Sequence, residues 1–500
     1  GQAAAGRNFT EARRAAPGSC ARADSGAGGE EGAELELGRC RHGHRHAGLH
    51  AETRDGTALR ARSLTLPRSR AGRDAAAVGV VFAAGSLLAT GLTSCDAIKR
   101  AFGLKSISLR DTAQTSCFAT LNFRRPENHR TKAAIMIKTL GYAAKHSYSR
   151  LKPMEFEREE AKANEIEIEV LYCGVCHSDV HQVKNEWSNT VYPCVPGHEI
   201  VGRVTRLGLG STRHTVGDLV GVGCMIESCR HCDPCQTGDQ NYCEGPNSWL
   251  STYNGPMVPA AKAPNGENMY GRDNTFGGYS DVIVVNQDFA LKIPANLKPE
   301  VAAPILCAGA TTYSPLKHWG VKSGDKVGVI GFGGLGDMAA KIAKAMGAEV
   351  TVFTTTPQKL EEATRLGVKG VLESDKEAMK ELTSSFDFML STIPEKHDIN
   401  PFIELLKRDS TLCIVGALEP MAGVNNAAVA FHRKRVAGSL IANLADTQEV
   451  LDFCAKHSIG PDIEMIDIQD VNDAYKKVEK GDVRFRYVID MASIKRDKNV

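Results

Sequence analysis

Residues 327–353 read VGVIGFGGLGDMAAKIAKAMGAEVTVF, and the order of the parts decides the fold of this half of the chain. Val327-Gly328-Val329-Ile330 is a short branched run of the kind a buried strand uses. Gly331-Phe332-Gly333-Gly334-Leu335-Gly336 then fits G-x-G-x-x-G. Ala339 to Met346 has helical periodicity, Gly347 is placed as its stop, and Val350 to Phe353 is a second strand-like run. Strand, glycine turn, helix and strand form the context in which this motif binds a dinucleotide. Gly331 permits the tight turn, Gly333 lets backbone approach a pyrophosphate, and Gly336 lets helix pack closely on strand. The helix N-terminus offers its free N–H groups to phosphate. The bland alternative is a glycine-rich turn in some other α/β protein, and the strand-helix-strand frame argues against it.

The strand after the motif bears on the choice of cofactor. An NAD site usually carries Asp or Glu about 20 residues past the glycines, bonded to the ribose 2'-hydroxyl. Here the place reads Thr354-Thr355-Thr356-Pro357-Gln358-Lys359, without an acid. Three hydroxyls and a lysine suit a 2'-phosphate, which a carboxylate would repel, so NADP(H) is expected. The same threonines could instead be an N-cap cluster for the next helix. Further strand-like segments, FDFMLST and TLCIVGAL, continue the alternation of a doubly wound sheet.

Toward the N-terminus the texture changes. From Met136 to about Val285 the chain reads as short strands broken by Gly and Pro: EIEIEVLYC, HEIVGRVTRLG, DLVGVGC and GGYSDVIVV. This β-rich stretch holds Cys229, Cys232, Cys235 and Cys243 in CRHCDPCQTGDQNYC, spaced C-x2-C-x2-C-x7-C. Four thiolates from one loop of low apolar content make a closed structural zinc site. Disulfides fit less well, since two-residue spacers strain most pairings. Eleven of the 15 cysteines follow Met136, a usage that suits a reducing compartment and a cytoplasmic protein. A nucleic-acid-binding zinc ribbon is disfavoured, because Arg230 and His231 are balanced by Glu227, Asp233, Asp239 and Glu244. The net charge of +2 gives no support for nucleic acid or an anionic membrane as partner.

Residues 1–135 differ from the rest. They contain no Met, Trp or Tyr and are rich in Ala, Gly and Arg, so this leader is expected to be largely disordered. Translated sequence upstream of a start at Met136, a targeting segment to an organelle, and a folded domain are its three readings, in falling order of support. Ala75 to Leu92 is uncharged but rich in Ala and Gly, a marginal membrane span. His42 to His46 read HGHRH, which in such a tract is more a matter of composition than of metal binding.

A second, scattered set of metal-ligating residues completes the pattern. Tyr172 to His181 read YCGVCHSDVH, Pro196 to Gly202 read PGHEIVG, and Pro304 opens PILCAGATTYSPL. With the four-cysteine loop and GFGGLG, these segments make the chain from about Met136 to Ile489 resemble the zinc-dependent medium-chain alcohol dehydrogenases. Within them it resembles the cinnamyl-alcohol-dehydrogenase-like branch of NADP-dependent aldehyde reductases. The resemblance implies a mixed α/β architecture: a GroES-like β-rich catalytic domain over 136–307, completed by 442–500, and a Rossmann cofactor domain over 308–441. It implies that Cys176, His198 and Cys307 hold a catalytic zinc with one open position, and that Glu199 can approach that metal; a supporting carboxylate is the equal alternative for Glu199. His177 is a ligand by type, but its neighbour Cys176 holds the matching place. Cys173, Cys194 and Cys224 are expected to be small buried residues.

By the same resemblance Ser178 and His181 move the proton, and Thr311, Thr392, Gly416 and the Gly438-Ser439-Leu440-Ile441 segment lie near the nicotinamide. Trp187 and Trp249 could line the substrate cleft or could be core. The substrates implied are aldehyde and primary alcohol pairs, cinnamyl, benzyl or aliphatic, and the assembly implied is a homodimer. Three departures stand out. Asp337 follows the last fingerprint glycine where relatives often carry His, and its charge beside pyrophosphate is unfavourable unless the side chain turns away. Ala442-Asn443 replaces a glycine pair, and Leu418 stands where Pro is common. A non-catalytic relative that binds the cofactor without turnover is the rival reading.

Overall fold

The computed structural model describes residues 135–245, 248–255, 274–481 and 486–499, and, before them, five short strands. Those strands are His50–Glu52 paired antiparallel with Ala58–Arg60, and Gly79–Ala83 and Ile107–Arg110 flanking Ser116–Leu121. They belong to a unit of their own, residues 1–130. The disorder expected for the rest of the leader lies outside the described residues, as does the HGHRH tract. No helix among the described residues is long and apolar enough to cross a membrane.

Beside two small antiparallel strand pairs, Met136–Ala143 with Lys152–Glu159 and Met225–Glu227 with Leu250–Ser251, the described residues of the second unit form two large sheets. The first is antiparallel in its main part and takes the alternating segments seen in the sequence: β1 Glu165–Gly174, β2 Ile200–Leu207, β3 Leu219–Val222, β4 Val282–Asn286 and β5 Leu291–Lys292. Strand β1 pairs with both β2 and β4. Its alternation works as the period predicts: Ile166, Ile168 and Val170 are buried, while the glutamates between them face outward. Each such fully buried branched side chain contributes about 1.5–3 kcal/mol. The cis Tyr192-Pro193 bond lies in the loop ahead of β2.

The second sheet is six-stranded and parallel throughout: β6 Lys326–Ile330, β7 Glu349–Thr354, β8 Lys369–Leu372, β9 Phe386–Ser391, β10 Leu406–Ile414 and β11 Arg435–Gly438. Their spatial order is β8-β7-β6-β9-β10-β11, the 3-2-1-4-5-6 order of a doubly wound dinucleotide fold. The order reverses beside β6, so the glycine turn after Ile330 opens at the crevice where such sheets bind ligands. Helix α1, Gly334–Ala345, follows the turn and buries Met338, Ala339, Ile342 and Ala343 at three- and four-residue spacing. Gly347 ends it at φ +90°, a conformation that favours glycine.

The chain then returns to the first sheet. Strands β12 Ile463–Asp467 and β13 Arg486–Asp490 pair in parallel, and β13 lies antiparallel to β1. Arg486 is thereby placed at the catalytic end of a sheet that began more than three hundred residues earlier.

Candidate active site

Four sulfurs meet in the loop after β3. Cys229 Sγ lies 3.9 Å from Cys235 Sγ, and Cys232 Sγ 4.0 Å from Cys243 Sγ. A tetrahedral zinc with bonds of about 2.3 Å has edges of about 3.8 Å, whereas a disulfide brings its sulfurs to about 2.05 Å. The separations fit the metal and exclude both disulfides. Burial acts to raise the Cys229 thiol, but N–H groups of His231 and Cys232 aimed at its sulfur bring it to about 6. Backbone N–H groups of Glu244 and Gly245 reach Cys232 and Cys243 in the same way. Such donors stabilise thiolates and suit a structural zinc.

The second cluster is assembled from distant segments. Cys176 ends the loop after β1 and caps helix α2, His177–Lys184; His198 and Glu199 precede β2; Cys307 sits in a π-helical turn, Ile305–Gly309. All four are buried, and one ligand atom from each lies within 4.8 Å of the others. His198 Nε2 is 3.3 Å from Cys307 Sγ. Donation from the Cys307 thiol holds Cys176 well below the usual thiol range, making Cys176 the first of the pair to ionise.

Two residues outside the sequence motifs' ligand set organise this cluster. Asp179 is fully buried and accepts from the Cys176 N–H at 2.9 Å, the Gly197 N–H at 3.0 Å and His198 Nδ1 at 2.9 Å. Burial acts to lower the His198 imidazole, but the Asp179 carboxylate outweighs it and leaves the ring well above its ordinary value. With Nδ1–H committed to Asp179, Nε2 is left to ligate. Arg486 forms a buried ion pair with Glu199 Oε1, while Glu199 Oε2 is buried without a hydrogen-bond partner. An orphaned carboxylate oxygen among two thiols and an imidazole is what a divalent cation would satisfy, so the donor set fits zinc. In the sequence Asp179 is only one more letter of YCGVCHSDVH with no sign of its three partners, and no local motif marks Arg486.

A cleft opens over this cluster. Cys176, His198 and Cys307 line it together with Ser178, His181, Thr311, Leu335, Gly416, Leu440 and Ile441. Trp187, Trp249 and Tyr253 supply aromatic walls, so both tryptophans are cleft residues and Trp249 is in addition deeply buried. His181 Nδ1 pairs with Glu186, and its ring stacks on His177 at 4.6 Å between centroids. His177 lines the cleft, its imidazole lowered by burial and by His181, but it is not among the clustered donors. Cys173 and Cys194 are fully buried as expected. Cys224 departs from expectation: it is only half-buried and lines the cleft, because β3 ends just ahead of it at the cleft wall.

At the nucleotide end, Gly331 has φ +85°. A Cβ on Gly336 would lie 2.1 Å from the Gly331 carbonyl oxygen, and one on Gly333 would meet nothing within 4 Å. Only a glycine fits at Gly336, and Gly333 leaves the open approach that a pyrophosphate needs. The Thr392 hydroxyl donates to the carbonyls of Ile330 and Gly331, so it braces the turn. Thr354 is buried and its hydroxyl accepts from the Thr356 N–H at 3.2 Å; Thr355 and Thr356 are exposed. No threonine side chain caps the helix Gln358–Leu366, whose N-cap position is Pro357, which removes the capping alternative. Lys359 lies 3.3 Å from Glu362. Ser439 donates its N–H to the Ile414 carbonyl and stands at the end of β11. Asp337 turns away from the glycine turn to bond Lys341 Nζ at 2.8 Å. Asn443 caps the helix Leu444–His457 by accepting from the Asp446 N–H at 2.7 Å, a task a glycine could not perform. Leu418 is 53 % exposed at the cleft.

Comparison with known proteins places this geometry. Residues 162–295 match the Alcohol dehydrogenase GroES-like domain family, and 334–456 the Zinc-binding dehydrogenase family. The chain is 47 % identical over 358 residues to the aldehyde reductase YahK of Escherichia coli, covering 71 % of this chain and 98 % of that protein. It is similar to a cinnamyl alcohol dehydrogenase of Sorghum bicolor at 40 % identity and a TM-score of 0.67, covering 71 % of this chain and 98 % of the other. CAD from Helicobacter pylori, complexed with NADP(H), is 37 % identical with a TM-score of 0.65, covering 72 % and 99 %. The chain therefore belongs to the zinc-dependent medium-chain alcohol dehydrogenases, in their cinnamyl-alcohol-dehydrogenase-like branch of NADP-dependent aldehyde reductases.

Proposed function

We propose that Cys176, His198 and Cys307 hold the catalytic zinc of this oxidoreductase, with Glu199 in reach as an exchanging ligand, and that Cys229, Cys232, Cys235 and Cys243 hold a structural one. The reaction is hydride transfer between NADP(H) and an aldehyde and primary alcohol pair. The observation that carries this reading is the convergence of four buried donor atoms within 4.8 Å at a cleft that also reaches the dinucleotide turn. When bound, zinc supplies Lewis-acid polarisation of the carbonyl oxygen and NADPH supplies the hydride.

The chain's own residues do the rest. Asp179 keeps Nε2 of His198 directed at the donor cluster, and Arg486 keeps one Glu199 oxygen occupied while leaving the other free. Ser178 gives or takes the proton at its hydroxyl, and His181, 17 % exposed and steadied by Glu186, exchanges it with water. The backbone around Gly331, Gly333, Gly334, Leu335 and Gly336 receives the pyrophosphate at the start of α1. Thr354, Thr355, Thr356 and Lys359 form the 2'-phosphate side, and Thr311, Thr392, Gly416, Ser439, Leu440 and Ile441 the nicotinamide side. Trp187, Trp249 and Tyr253 exclude water from the cleft and favour flat apolar aldehydes.

The catalytic domain in this reading covers 136–307 and 442–500, with the cofactor domain at 308–441. A homodimer through the cofactor domains fits the exposed outer strand β11, where Arg435, Val436 and Gly438 face solvent and Phe431 nearby is 84 % exposed. A cytoplasmic location fits the eleven free thiols from Cys173 to Cys454. The test is NADPH oxidation by the chain from Met136 with cinnamaldehyde, benzaldehyde and a short aliphatic aldehyde, before and after chelation. Chelator-sensitive turnover with NADH as the poorer donor supports the reading. NADPH binding without turnover in the zinc-loaded protein refutes it in favour of a non-catalytic relative.

A further inference from the structure

Two neighbouring residues of the four-cysteine loop reach out of it. Asn241, 3 % exposed, donates from Nδ2 to the Leu440 carbonyl at 2.8 Å. Tyr242 accepts at its hydroxyl from the Leu440 N–H at 3.2 Å. Both polar backbone groups of one residue are thus fixed by the turn Gln240–Tyr242, which runs directly into Cys243. A third tie joins Asn443 Nδ2 to Asp239 Oδ1 at 3.1 Å. The same segment packs Leu440, Ile441 and Leu444 against an apolar cluster containing Cys235, Cys243 and Trp249.

The segment held in this way faces the reaction. Leu440 and Ile441 line the cleft with the donor cluster. Ile441 sits at φ +41°, where a β-branched side chain is strained. Strained backbone persists only where its surroundings over-determine it. The doubly bonded Leu440, one residue earlier, is such a restraint, and the zinc loop supplies it.

We propose that Asn241 and Tyr242 are positioning residues that carry the geometry of the four-cysteine loop into the cleft wall, so that the loop sets aldehyde selectivity as well as stability. The inference rests on the cleft being the aldehyde site. Sulfurs drawn together around a metal hold Cys243, Cys243 holds the turn before it, and the turn holds Leu440 and Ile441 at their places on the wall.

Tyr242→Phe tests this with little risk to folding, since it removes one hydroxyl from a half-exposed ring; Asn241→Leu is the second, buried probe. Amide hydrogen exchange is measured first, on zinc-loaded protein without substrate. Exchange at Leu440 is expected to rise about threefold to tenfold in Tyr242→Phe, the size of one lost backbone hydrogen bond. Both variants retain both zincs. The ratio of kcat/KM for cinnamaldehyde over that for propanal shifts by a similar factor, mainly through KM, and in the same direction in both. A melting temperature lowered in Tyr242→Phe with exchange and ratio unchanged makes the loop a brace alone and overturns the inference. If the wild-type chain turns over neither aldehyde, the aldehyde reading of the cleft fails by itself, and the exchange measurement still decides the clamp.

Discussion

Asp337 is the sharpest test of the electrostatics near the cofactor. Its carboxylate is 2 % exposed, and burial raises its pKa from 3.8 to about 6, even though Lys341 beside it acts to lower it. An acid raised in this way favours the fold when protonated. The full benefit is present below its unfolded value and is lost as pH rises through about 6. The shift of about two units corresponds to about 3 kcal/mol lost above pH 7. Between pH 5 and 7.5 about half of this is still to be lost. Asp337→Asn keeps the shape and an oxygen for Lys341 but cannot ionise. Its melting temperature relative to wild type should therefore climb across that interval by about 2 °C for a chain of this size. Thermal unfolding of both proteins in matched buffers from pH 5 to 7.5 measures it. Parallel curves would refute the argument, for they would mean that the fold leaves this carboxylate at its ordinary value. NADPH affinity should change little, because the carboxylate is turned toward Lys341 and away from the glycine turn.

Other substitutions separate the remaining roles. Cys176→Ser should abolish turnover and remove one zinc with little change in melting, whereas Cys232→Ser should remove the other and destabilise the fold; equal melting of the two would contradict this division. Asp179→Asn withdraws a charged acceptor from three N–H groups and should weaken zinc binding at the catalytic site about 10–100-fold, read by competition with a chromogenic chelator. Thr354→Asp places a carboxylate where the 2'-phosphate is expected and should reduce the preference for NADPH over NADH by at least about tenfold in kcat/KM.

Much of this was legible in the linear chain because the relevant physics is local. A G-x-G-x-x-G turn works through backbone angles and close approaches within six residues, so Gly331 and Gly336 announce it wherever they stand. The four thiols of the cysteine loop lie within fifteen residues, and their spacing alone marks them as candidate ligands of one metal. Alternation in β1 encodes which face is buried. Thr354–Thr356 were ambiguous in sequence, since capping and phosphate contact call for the same hydroxyls; the uncapped start of the following helix removes the first of these.

The remainder depends on contacts between distant parts of the chain. Arg486 reaches Glu199 across 287 residues, and Asn241 reaches Leu440 across 199, because β13 and the end of β11 return to elements formed much earlier. Arg486 sits in no motif and Asn241 is not among the ligand positions of the cysteine loop, and a lone Arg or Asn in sequence carries no sign of its partner. The direction of the Asp337 side chain and the exposure of Cys224 were likewise decided by packing, through Lys341 on the same helix and the position where β3 ends. Sequence alone marked the chemistry that short spacing can build, the fingerprint and the cysteine loop, while the scattered Cys176, His198 and Cys307 were implied only by the family resemblance. The tertiary structure decided which buried charges are matched, which oxygen is left free and which loop braces the cleft, because those follow from which surfaces meet.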